Sequence, residues 1–376
     1  MSLDARARRA ARAARTNVDR LPPPPAIGVL VARRRRRAAA ANALALVLIV
    51  AVVGVAWRAL PHEPATRLPG HVQAAIRVGR APGAVLVAGG SVWVANSGDG
   101  TVSRIDPATN RVIATIHVDG DPAQLTADSG AVWVATAEAT RTTAPARATL
   151  QRIDPATNRV VQTLPLPDDA GVGDVLAADG RLWVSLNDGT VQRLDTADGR
   201  VLASISLASQ GVSVLASGSG MLWAAKGSML VAISPQRAAV TERFIDKEGV
   251  RLPGGPPPGL TNLALVGGVA WESTFDGRVF RFRVDPPTKT TRGQVVASLD
   301  GPASIAVGPT GVFVASPRPQ TVTRLDPATG QVRASIRLPG LRGVAVGPDA
   351  VWATTEAAWT TDNPGILYRI DPQATD

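Results

Sequence analysis

Short apolar runs of strand length recur along most of the chain: SVWVA, AVWVA, RLWVS, MLWAA, VAWES, GVFVA and AVWAT, divided by Gly, Pro, Asn and Asp. Runs of four to eight such residues bounded by turn formers predict β-strands. Their aromatic landmarks, Trp93, Trp133, Trp183, Trp223, Trp271, Phe313 and Trp352, lie 40, 50, 40, 48, 42 and 39 residues apart. A second landmark follows, clearest as RIDPATNRV at Arg104 and Arg152, RLDTADGRV at Arg193 and RLDPATGQV at Arg324. It decays at Ser234 and Asp285 and ends the chain as RIDPQAT from Arg369. Its chemistry is that of a reversal: Asp106 bonds its own backbone two residues on, Pro107 presets φ, and Asn110 or Gly330 tolerates the left-handed conformation that closes a hairpin.

Each unit parses as four strands, in the second copy Ala123–Ala127, Ala131–Ala135, Leu150–Ile153 and Val160–Leu164. Four short strands per ~40 to 45 residues is the period of a propeller blade. The final copy stops before its fourth strand. VQAAIRV at Val72–Val78 precedes the first copy and matches the fourth-strand text VIATIHV at Val112–Val118. The expected fold is all-β, a seven-bladed β-propeller over residues 72–376, closed by its own amino-terminal strand so that no strand edge of a type that invites aggregation is exposed.

One apolar run does not fit strands. Residues 38–57, AAAANALALVLIVAVVGVAW, carry no charge; this length spans a hydrocarbon slab of ~30 Å. Nine of these residues are Leu, Ile or Val, each favouring insertion by roughly 0.3 to 0.6 kcal/mol, which together outweigh the single Asn42 near the start. The run Arg33–Arg37 abuts its amino end and only Arg58 lies just beyond the other. The positive-inside bias therefore puts residues 1–37 in the cytoplasm and exports everything after the helix. A cleaved secretory signal is the competing reading; a polar lead of 37 residues is long for one. The chain thus divides into a basic cytoplasmic segment (1–37) with an Ala/Arg helix, a transmembrane helix (38–57), a stalk (58–71) and the propeller.

Composition narrows the chemistry. The 376 residues contain no Cys and three His, His62, His71 and His117, which excludes disulfides and thiolate zinc and disfavours imidazole-rich metal sites. The net charge of +10 resides almost wholly in residues 1–37, where eleven Arg face Asp4 and Asp19. The remainder is near neutral, so no nucleic-acid groove is expected.

In a propeller the links entering the first strand and leaving the second gather on one face. The extra residues of this chain, Thr136–Thr149, Asp246–Gly259 and Thr354–Gly365, belong to that face, while the Asp-Pro side is read as keeping short turns. Clustered insertions mark a binding surface on a repeat scaffold. Glu138, Arg141, Arg147, Glu356, Trp359 and Asp362 are the candidate contacts there. Trp359 leads them as an aromatic outside the repeated core position, with packing onto blade seven as its other reading. Aligned on the Trp positions, the channel mouth is expected to be ringed by Ala84, Gln124, Asp174, Ser213, Asn262, Ser304 and Arg342 or Gly343. That ring suits water, a small polar ligand or an ion.

The text VWVANSGDGTVSRIDPATNRVIATI resembles the YVTN-type β-propeller repeats, a group shared with streptogramin-lyase-like and surface-layer propellers and abundant in high-GC bacteria; the resemblance covers roughly residues 72–373. It implies the fold and says little of function. Streptogramin lyases imply His, Glu and magnesium on late blades, yet no His follows His117. Lactone hydrolases imply a central Glu, Asn and Asp cluster around a divalent ion, of which Asp174 and Asn262 are too small a part. The expectation is therefore a membrane-anchored, extracytoplasmic binding or scaffolding module for an envelope protein, peptide or glycan, with no cofactor. A metal-dependent lyase or hydrolase, and signalling through the basic helix, are the alternatives.

Overall fold

The computed structural model describes residues 71–128, 130–137, 148–166, 172–207, 214–226, 229–245, 260–274, 277–284, 293–301, 304–356 and 363–373. The basic segment, the expected membrane helix and nearly all of the stalk lie outside these residues. Among the described residues the strands form seven four-stranded antiparallel sheets and there is no helix.

Blade one shows the plan: Pro82–Ala88 innermost, then Ser91–Asn96, Thr101–Asp106 and Arg111–His117 outermost. The innermost strands of blades two to seven are Asp121–Asp128, Val172–Ala178, Val214–Gly218, Leu260–Val266, Ser304–Gly308 and Leu341–Val346. Blade seven takes its outer strand from the other end of the chain. Val72–Arg77 pairs antiparallel with Ile366–Ile370, Val72 opposite Ile370 and Arg77 opposite Ile366. The joint is extended by Val78 N–H to Gly365 O (2.9 Å), Gly365 N–H to Gly79 O (2.9 Å) and Asp371 N–H to His71 O (3.0 Å). The ring is thus closed as the sequence implies.

The repeated aromatics explain why sheets stack into a ring. Each is nearly or wholly buried, and each points at the next blade. Trp93 packs with Val132 and Val134 of blade two, Trp183 with Leu215 and Leu222 of blade four, and Trp352 with Val92 and Val94 of blade one. There is no single central core; seven apolar clusters, one per seam, divide the burial among them. A sheet buried on both faces needs apolar residues at successive positions, hence unbroken runs such as SVWVAN, buried throughout.

The Asp-Pro turn contributes more than a reversal. Asp106 accepts Ala108 N–H at 2.9 Å and the Thr109 hydroxyl at 2.8 Å, while Asn110 sits at φ 55°. The next job belongs to the Arg two residues before the Asp, which lies opposite the Trp. Arg104 stacks on Trp93 with its guanidinium carbon 5.0 Å from the ring centre, and reaches Pro155 O and Asn158 Oδ1 (2.8 Å) in the turn of blade two. Arg369 does the same from blade seven, stacking on Trp352 and donating to Pro107 O (2.7 Å) and Asn110 Oδ1 (3.2 Å) of blade one. Arg193 donates to Pro235 O of blade four, and Arg324 to Gln373 of blade seven. The motif therefore couples blades.

Blade five departs from the expectation of short turns on the Asp-Pro side. Its third strand ends at Arg283 and its fourth begins at Gln294, so residues 284–293 link them, against 107–110 in blade one. The decayed text after Asp285 no longer encodes a tight reversal.

Candidate functional site

The face on which innermost strands begin is set by chain direction. In blade one Pro82 pairs with Asn96, so the first strand starts where the second ends, and both lie away from the Asp-Pro turn. At this face residues 138–147 link the second and third strands of blade two, and 356–365 link those of blade seven. Blades one and six use only 97–100 and 317–320 for the same connection. Residues 246–259 lead into blade five, where 118–120 suffice for blade two. The strand ends that the three expected insertions join thus lie on one face. Glu138, Arg141, Arg147, Trp359 and Asp362 lie outside the described residues.

Glu356 is described. Its N–H donates to Gly340 O (2.9 Å), and its Oε2 accepts from Arg342 Nε (3.1 Å) and Nη2. Gly340, at φ 76°, is needed here because a Cβ would run into Glu356 O. Arg342 is a bulge residue: Leu341 pairs with Thr355 and Gly343 with Thr354, so Arg342 stands out of the ladder between them and is exposed. The two charges compensate each other at the start of the blade-seven insertion.

The mouth leads into a cavity of about 540 Å³ whose polar lining includes Gln124, Asn262, Ser304 and Arg342. Backbone register fixes which residues share a level. Gln124 opposes Ala135, Asp174 opposes Ser185, Asn262 opposes Ser273 and Ser304 opposes Ala315, each nine residues before its Trp or Phe. In blade four that position is Val214, opposite Ala225, rather than Ser213, which lies outside the described residues. In blade seven it is Gly343, with Arg342 displaced by the bulge.

Several of these side chains turn sideways and join blades. Gln124 Oε1 accepts Val175 N–H (3.0 Å) and its Nε2 donates to Gly173 O (3.0 Å), tying blade two to blade three. Further along, Thr126 accepts Ala177 N–H at 2.9 Å. Asp174 repeats the gesture: Oδ2 accepts Leu215 N–H of blade four and Oδ1 accepts its neighbour Val175 N–H, both at 2.8 Å. The Thr354 hydroxyl donates to Gly83 O of blade one (2.8 Å) and accepts Gly343 N–H (3.0 Å) from its own blade. Thr126 and Thr354 were not signalled by sequence, since their register opposite the neighbouring blade appears only after folding. Burial pushes the Asp174 carboxyl up to about 6, the two N–H donors opposing the rise. Among the described residues no three His, Asp or Glu side chains gather to hold a metal ion.

No protein-family model matches the chain, and no curated protein matches it. Solved structures do. The chain resembles the structure titled Kuenenia stuttgartiensis hydrazine synthase at TM-score 0.60 and 14% identity, over 79% of this chain and 97% of that one. It resembles the computationally designed Ika8 protein at TM-score 0.54 and 14% identity, over 80% of this chain and all of that one. At such identity the shared property is the fold, and the class defined is that of seven-bladed β-propellers.

Proposed function

We propose that this is a YVTN-type propeller displayed outside the membrane by a single helix at 38–57, and that it binds or scaffolds an envelope protein, peptide or glycan through its insertion face. The observation that carries this reading is the distribution of long links. Of the four links of ten or more residues, those after Ala137, Ile245 and Thr355 join strand ends on the face of the channel mouth, and only the one after Arg283 joins strand ends on the other side. Rigid closed sheets hold such loops in fixed relation, which reduces the ordering cost of recognition. The chain also enters the ring on the Asp-Pro side, where Asp371 N–H meets His71 O. The test is photocrosslinking of the full chain in its own cells, with the probe at Glu138, Glu356 or Trp359 and a control probe at Ala156 in an Asp-Pro turn. Discrete adducts from the first three sites alone are expected. Equal adducts from Ala156, or none from the insertion face, refute the reading.

A further inference from the structure

Among the described residues the channel cavity of about 540 Å³ is lined by one charged side chain, and it is a cation. Arg342 stands at a bulge that the ring repeats: Gly83 and Ala84, Ala123, Gly173 and Thr261 take the same place in blades one, two, three and five. None of those is charged, so the bulge itself does not require an arginine. Its ion pair is also one-sided. Arg342 lines the cavity whereas Glu356, its carboxylate partner, does not, so the cavity meets the positive member of the pair. Asn262 and Ser304 line the same space, and neither side chain makes a hydrogen bond among the described residues. A guanidinium, an amide and a hydroxyl thus offer donors around one cavity, whose volume lies within the ~300 to 1,000 Å³ usual for ligand sites.

We propose that this cavity captures the free carboxylate at the end of a peptide chain, with Arg342 as its counter-charge. This rests on the binding-module reading and names the ligand chemistry at the channel mouth. A carboxylate presents two acceptor oxygens, and a planar guanidinium matches them where a point charge does not. The Glu356 carboxylate already accepts from Arg342 Nε and Nη2 through a single oxygen, so the guanidinium stands ready for a partner of this kind. Asn262 and Ser304 supply neutral donors to the rest of the chain end. An acidic sugar is the poorer match, because no aromatic ring lines the cavity to stack on a sugar face, while Leu125, Leu263 and Ile305 in its lining suit an aliphatic end residue.

Calorimetric titration of the full chain in detergent at pH 7.5 tests this, with N-acetylated tripeptides ending in Ala, Leu or Ser as free acids, their C-terminal amides as controls, and glucuronate for the sugar class. At least one free acid is expected to bind, and amidation and Arg342→Gln should each weaken it at least tenfold. Glu356→Gln breaks the same ion pair but keeps the cation, so it should bind at least as tightly as the parent, which separates the role of Arg342 from damage to the mouth. Binding that survives amidation or Arg342→Gln, weaker binding in Glu356→Gln, no binding by any free acid, or a preference for glucuronate overturns the proposal. Photocrosslinked adducts at Glu138 and Trp359 that persist while no free acid binds would remove this inference and leave the binding module standing.

Discussion

Replacing Asp174 with Asn should make the protein more stable at neutral pH, which is unusual for a residue with two good hydrogen bonds. The carboxyl titrates near 6 in the fold against an ordinary 3.8, with burial as the main cause. The gap, about two pH units at ~1.36 kcal/mol each, corresponds to ~3 kcal/mol of stability withheld when the group is charged. Solvent reaching the half-buried side chain lowers the realistic figure to ~1 to 2 kcal/mol. The sign follows from the raised value. The penalty is complete above pH 6, shrinks as pH falls through 6 towards 3.8, and is absent where both folded and unfolded forms are neutral. Strands Asp121–Asp128, Arg181–Leu186 and Val214–Gly218 pack against Val172–Ala178, and their only charges, Asp121, Asp128 and Arg181, lie at strand ends. The amide costs little in hydrogen bonds: its oxygen serves Leu215 N–H, and Val175 N–H keeps Gln124 Oε1 at 3.0 Å. Urea unfolding of the full chain in detergent, followed by tryptophan fluorescence, should show the variant ahead at pH 7.5 and level with the parent at pH 4. A variant that is less stable at pH 7.5, or a difference that does not change with pH, refutes the reasoning.

Other outcomes follow from the seams. Arg369→Lys should lose ~1 to 3 kcal/mol in the same unfolding assay, because lysine cannot serve Pro107 O, Asn110 and Asp349 together while stacking on Trp352; an unchanged midpoint contradicts the coupling role. Deleting Val72–Arg77 strips Ile366–Ile370 of its outer partner and should yield self-association on size-exclusion chromatography, whereas a monodisperse monomer argues against the closure. Gly340→Ala should cost about 1 to 3 kcal/mol through its left-handed φ and the collision with Glu356 O, measured as a lowered melting temperature; no shift is the contrary result.

The blade count and the closing strand were legible because the Trp landmark and the Asp-Pro landmark each report a different strand, and their order leaves one strand missing at the end and one spare at the start. The face of the insertions was legible for the same reason. Side-chain direction was not. Gln124 lines the channel cavity as read, yet its amide and the Asp174 carboxylate turn across seams to the next blade, a contact that only the folded register decides. In blade four the position at the level of Gln124 and Asp174 falls to Val214, one residue after the Ser213 read from the sequence, because the polar residue there stands just before the strand. The Arg before each Asp-Pro turn is plain in the text, but its partner is in the next repeat, some fifty residues away, and a single repeat cannot disclose it.

That Arg also gives the ring a weak point. Arg104 grips the turn of blade two, Arg193 that of blade four and Arg369 that of blade one, and Arg324 reaches blade seven, but blade four presents Ala232 opposite Trp223, and blade five has the widened link that such a grip would have to hold. Lost hand and altered handle fall at the same joint. Under heat or pulling force the disk should part there first, so that the fourth and fifth wedges act as a hinge while the seam sewn by the two chain ends stays shut.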